Sequence, residues 1–222
     1  MNPVIACSSV ADGSMSGREP GHAAAATRNR QSFLARHDIT PDETSLVRLV
    51  YEGNDYCRYV TLKDNDKGDG LVRESSFVAD AMVVTHPNHA LFLPLADCIG
   101  AVIHDPTKGL VMLSHLGRHN LEQFGGTKSI EYLTQKHGVD PTNLTVWLSP
   151  AAGKDYYPLF AFGNRSLHEV AVEQLVAGGI LPENITISPI DSAADTTYYS
   201  HSQFLQAKRD EDGRFAVVAM MK

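Results

Sequence analysis

The sequence predicts a mixed α/β fold in a single domain covering residues 1–222. Three observations predict it: a dense series of short apolar segments bounded by turn signals, two helices marked at their ends, and 222 residues that are 43% apolar. A chain of that size and content buries a substantial core, and one large domain fits it better than two small ones.

Along the chain, residues 11–28 carry Gly, Ser, Pro and an alanine run, and read as a mobile loop; the run Ala23–Ala26 reads alternatively as helix. Residues 29–38 read as a short helix with Phe33 and Leu34 as apolar contacts. Strands are expected at 45–51, 58–62, 81–85, 90–95, 99–103, 110–114, 144–148, 185–187 and 215–220. The densest group is separated by His86-Pro87-Asn88 and Asp105-Pro106-Thr107-Lys108-Gly109. A helix over 127–137 starts near Thr127 and stops at Gly138. Another over 164–177 opens on Asn164 as cap and ends at Gly178-Gly179, with Leu167, Val170, Ala171 and Leu175 on its core stripe.

Composition narrows the partners. A net charge of -7, with scattered Lys and Arg, argues against a nucleic-acid coat. No apolar run approaches the roughly 20 residues that span a bilayer. The first nine residues lack a basic n-region, and Cys7, Cys57 and Cys98 cannot all pair within the chain. A cytoplasmic protein acting on a small molecule is the expectation.

The chemistry concentrates between Leu93 and Asn120. Cys98 joins two apolar strands, with Asp97 beside it, and His115 ends the next strand before Gly117. Strands joined by the 105–109 turn are antiparallel neighbours, which brings Cys98 and His115 together. A thiolate beside an imidazole serves either as two ligands of a zinc with an open position or as an activated nucleophile with its base. The plainer alternative is a buried cysteine and an unrelated surface histidine. His119 follows His115 by four residues and is a further acid/base candidate, while His201 needs the fold to bring it near. His86, His89, His104 and His168 read as solvated, a metal pair at His86 and His89 being the less favoured reading.

Read as an ordered set, these segments resemble the YfiH/laccase-domain family (DUF152). The matching pieces are Asp12-Gly13-Ser14-Met15-Ser16, Asn29-Arg30, Ala79-Asp80-Ala81, Ala96-Asp97-Cys98, His115-Leu116-Gly117, Ser149-Pro150 and Asp212-Gly213-Arg214, in family order across nearly the whole chain. The resemblance implies a layered α/β sandwich of the YfiH-like type, purine nucleoside phosphorolysis or adenosine deamination with phosphate or water as co-substrate, and a zinc held by His, Cys and His. It places Cys98 and His115 as two zinc ligands. Where the family has Gln-Val-His-Gly, this chain has Val50-Tyr51-Glu52-Gly53, so Glu52 replaces the third ligand, or Tyr51 does if the alignment slips by one. Arg118-His119-Asn120 stands where the family has Trp-Arg-Gly.

The leading expectation is thus a zinc-dependent nucleoside enzyme. Cys98, His115, His119 and Asp97 form its catalytic set, Asp97 acting by orienting a neighbour. Arg118, Asn29 and Arg30 bind substrate, with a structural role for Asn29 and Arg30 equally open. A metal-free Cys–His enzyme and a non-catalytic nucleotide or protein binder are the alternatives. A copper laccase is disfavoured, because multiple His-x-His pairs are missing.

Overall fold

The computed structural model describes residues 3–17 and 21–222. In chain order the elements are β1 (Val4–Cys7), α1 (Ala23–Ala35), β2 (Thr44–Ser45), β3 (Tyr59–Thr61), β4 (Ala81–Val84), β5 (Ala90–Leu95), β6 (Ile99–Asp105), β7 (Leu110–Leu116) and α2 (Arg118–Glu122). Then come α3 (Gly125–His137), β8 (Thr145–Leu148), α4 (Leu167–Ala177), β9 (Ile185–Ile187), α5 (His201–Leu205) and β10 (Phe215–Met220). The strands form a four-stranded sheet ordered β1-β10-β5-β2 and a six-stranded sheet ordered β3-β4-β7-β6-β8-β9.

The period-2 alternation of side chains explains the layering. On β10, Phe215, Val217 and Ala219 face inward and pack with Leu91, Leu93 and Leu95 of β5 against Met82, Val102 and Leu113 of the larger sheet. The intervening Ala216, Val218 and Met220 meet Phe33 and Leu34 of α1 on the opposite face. The outer face of the large sheet presents Ala101, Ile103 and Met112 to Ile130 and Leu133 of α3 and to Val170, Ala171 and Leu175 of α4. The layers therefore run helix, sheet, sheet, helices, the sandwich the resemblance implies. Among the described residues, no helix is long and apolar enough to cross a membrane.

Strands at 90–95, 185–187 and 215–220 coincide with expectation, and those around the β6–β7 hairpin extend further than expected. Other expectations need correction. The helix expected at 29–38 begins at Ala23, so the alanine run is helical, and Val10–Asp12 forms a 3-10 turn; both ends of the segment expected as a loop therefore carry regular structure. Residues 18–20 lie outside the described residues. The strand expected over 45–51 is reduced to Thr44–Ser45, because Leu46 and Arg48 donate to Asp69 and Phe77 carbonyls instead of a strand partner. β1, unmarked in the sequence reading, pairs antiparallel with β10 from Val4↔Met220 to Cys7↔Val217. The cap of α4 is Ser166, which accepts from the Glu169 amide, while Asn164 sits in the left-handed region before it. Thr127 lies inside α3, its hydroxyl donating to Gln174.

Three histidines read as solvated are not. His104 lies on the buried strand β6. His89 is fully buried between the Ser45 hydroxyl (2.7 Å) and His86 (3.0 Å). His168 is half-buried with Nε2 2.9 Å from the Ser149 carbonyl. Burial of a polar side chain depends on a distant partner, which periodicity along one element does not report.

Candidate active site

The β6–β7 hairpin assembles the centre of the site. Its register pairs Gly100 with His115 and Ile99 with Leu116, so Cys98 and Gly117 end neighbouring strands at the same edge. A Cβ on Gly117 would lie 2.8 Å from Cys98 Sγ and 3.0 Å from His115 Nε2. The thiol and the imidazole therefore converge on one small space that glycine leaves open. The His115 amide donates to the Asp80 carbonyl (2.8 Å). Asp80 itself takes Arg58 Nε at 2.7 Å and Nη2 at 3.1 Å, a fork geometry that suits a carboxylate. The Ala79-Asp80-Ala81 motif thus anchors the histidine strand.

Cys98 is placed by the residue before it. Asp97 has a φ of 75°, a left-handed conformation that costs a non-glycine residue free energy. Its carboxylate accepts from the Ser200 hydroxyl (2.5 Å) and the Ser202 amide (2.6 Å), and its carbonyl from the Ala152 amide. Burial pushes the Cys98 thiol up to about 12; Asp97 adds to the rise, and Arg214 and Arg118 oppose it.

A cavity of about 590 Å³ opens over this centre. Of the residues expected at the site, Cys98, His115, His119, Asp97, Arg118 and Arg30 line it. Asn29 does not; its amide donates to the Ser14 carbonyl (3.0 Å) and ties the N-terminal turn to α1. Arg30 reaches the wall from α1 while its Nε donates to the Met15 carbonyl, and burial lowers its pKa. His119 stacks on Tyr56 at 4.9 Å, with Nδ1 3.6 Å from Glu122.

The wall also contains His201, a candidate that only the fold brings near, and Tyr51, which takes the place of Glu52. Arg48, Tyr157 and Arg214, which the sequence does not single out as site residues, join it from segments far apart in the chain. Tyr51 meets the His115 ring edge-on at 6.4 Å. Arg214 had a signal in the Asp212-Gly213-Arg214 motif, and Arg48 had none.

The donor chemistry fits zinc in part. A cysteine and a histidine aimed at one open space are a familiar pair of zinc donors, and a catalytic zinc takes three protein ligands. Glu52 does not supply the third: it is exposed and off the cavity wall, where Tyr51 stands instead. Among the described residues, no three or more His, Cys, Asp or Glu side chains cluster as a metal set.

Comparison with known proteins gives one consistent answer. Residues 11–161 match the family described as multi-copper polyphenol oxidoreductase laccase. The purine nucleoside phosphorylase YlmD of Bacillus subtilis is 27% identical over 92 residues, 41% of this chain and 33% of that protein. A purine nucleoside phosphorylase of Corynebacterium glutamicum is 27% identical over 135 residues, 61% of this chain and 50% of that protein. The matches thus span half or less of those relatives. Among solved structures, Bacillus licheniformis YfiH superposes with a TM-score of 0.83 at 19% identity, covering 94% of this chain and 85% of that one. YlmD from Geobacillus stearothermophilus gives 0.82 at 18% identity, covering 94% and 84%.

Proposed function

The chain belongs to the multi-copper polyphenol oxidoreductase laccase (YfiH) family, and from that premise we propose that it cleaves a purine nucleoside by phosphorolysis in the Cys98–His115 cavity. The observation that carries this reading is the charge of the cavity wall. Arg30, Arg48 and Arg118 line it without a carboxylate partner among the described residues. The wall carboxylates are already engaged, Asp80 by Arg58 and Asp97 by Ser200 and Ser202. Guanidinium groups without a carboxylate partner favour an oxyanion such as phosphate, which phosphorolysis consumes and deamination does not. The volume lies within the range of small-molecule pockets, and Tyr51, Tyr56 and Tyr157 offer aromatic faces to a base.

Within this reading, Cys98 and His115 would hold a zinc ion, which when bound polarises an oxygen ligand as a Lewis acid. The chain's own groups do the rest. Arg118, Arg48 and Arg30 bind and orient the phosphate, Asp97 fixes the position of Cys98, and Gly117 keeps the approach open. His119, stacked on Tyr56, contributes to the wall.

The test is release of free purine from inosine and adenosine with and without inorganic phosphate, for wild type, Arg48→Gln and Arg118→Gln. Phosphate-dependent release is expected, with the KM for phosphate raised on the order of 10-fold in each variant, as loss of a charged hydrogen bond predicts. Ammonia release without a phosphate requirement would establish deamination instead.

A further inference from the structure

His201 lines the cavity wall with a carboxylate within hydrogen-bond distance: its Nδ1 lies 2.8 Å from Asp212 Oδ1. Asp212 is held in turn by Arg214, Nη1 to Oδ1 at 2.5 Å. Burial raises the pKa of Asp212, but bonds from Arg214 and His201 prevail and hold it below the ordinary carboxylate range. The backbone beside His201 is fixed too. Ser200 caps α5, and its hydroxyl and the Ser202 amide both donate to Asp97, the residue before Cys98. The histidine is thus held on both sides by the residue that sets the thiol. An Nδ1–H donated to a carboxylate fixes the ring's tautomer and leaves Nε2 as the proton-exchanging atom. His119 lacks this arrangement, since its 3.6 Å approach to Glu122 exceeds a hydrogen bond.

Resting on the phosphorolysis reading, we propose that His201, oriented by Asp212, donates a proton to the departing purine. A phosphate oxygen bonds to C1′ of the ribose as the C1′–N9 bond breaks, and that bond's electron pair leaves with the purine. The His201 imidazolium passes its Nε2 proton to purine N7. The proton that hydrogen phosphate gives up on becoming the sugar ester restores the imidazolium, so the step balances with inorganic phosphate as the only co-reactant. General acid assistance of this kind contributes about 100-fold or more.

Comparison of inosine with 7-methylinosine isolates the step, because methylation at N7 gives a leaving base that needs no proton there. His201→Gln is expected to lower kcat on inosine by about 100-fold while changing 7-methylinosine by no more than a few-fold. Asp212→Asn should move in the same direction with a smaller loss. If wild type cleaves both substrates and His201→Gln slows both equally, or neither, the assignment of His201 is wrong while phosphorolysis stands. If wild type cleaves neither in the presence of phosphate, the phosphorolysis reading falls and this proposal falls with it.

Discussion

The Cys98 thiol and the His115 imidazole approach one point from neighbouring strand ends, and Gly117 is the residue whose missing side chain leaves that point open. The φ of Gly117 is −106°, which any residue adopts, so glycine is required there for space and not for backbone freedom. Gly117→Ala would put a methyl group 2.8 Å from Sγ and 3.0 Å from Nε2, closer than carbon contacts tolerate. Loss of at least about 10-fold in kcat/KM is expected, with a melting temperature within a few degrees of wild type. Full activity in Gly117→Ala would mean that the two groups do not act at that point.

The same convergence predicts metal content. Protein purified without chelators is expected to carry about one zinc per chain, and Cys98→Ser to lose it, because the thiolate is the softer donor and zinc sites lean on it. Elemental analysis of both proteins decides this. A metal-free wild type would remove zinc from the reading and leave Cys98 and His115 as a metal-free pair.

Asp80 supports the site from below. It is 4% exposed and forks onto Arg58, and its carbonyl holds the His115 amide. Asp80→Ala leaves the Arg58 guanidinium, 20% exposed, without its carboxylate, though Nη2 keeps the Val50 carbonyl, and should cost about 3 kcal/mol of stability, with Asp80→Asn costing less. Urea unfolding of the variants against wild type measures it. A change below about 0.5 kcal/mol in Asp80→Ala, the range of ordinary surface substitutions, would show the pair to be energetically idle.

How much of this was legible in the sequence follows from how far apart the cooperating residues lie. β5, β6 and β7 are almost wholly buried, so they read as apolar runs, and the 105–109 turn fixes the pairing of β6 with β7. Cys98 and His115 are therefore legible as neighbours from the sequence. Arg48 and His201 reach the same cavity by packing of distant segments; His201 is a candidate that only the fold brings near, and nothing local marks Arg48. The family pattern pointed to Glu52 for the third zinc donor, yet the bend at 52–54 leaves Glu52 exposed and Tyr51 on the cavity wall. β1 was overlooked because four half-buried residues carry no alternation of their own; pairing with β10 is what makes them a strand.

His89 predicts how stability depends on pH. The ring is fully buried between Ser45 and His86, and its pKa falls from 6.5 to about 4, chiefly through burial, with His86 and Lys67 adding to the fall and Asp64 and Asp66 opposing it. Above pH 6.5 the ring is neutral in both folded and unfolded chains, and its burial costs nothing extra. As pH falls from 6.5 toward 4, the unfolded chain takes up a proton that the folded one refuses, so stability is lost across that window, by up to about 3 kcal/mol from this residue. His89→Gln, which keeps hydrogen-bonding capacity and does not titrate, should flatten the dependence. Burial lowers His104, His137 and His168 as well, so some slope will persist in the variant. Urea unfolding at pH 7, 5.5 and 4.5 compares the two proteins directly. Identical losses on acidification would mean that His89 is protonated as readily folded as unfolded, and that the Ser45–His89–His86 chain opens below neutral pH.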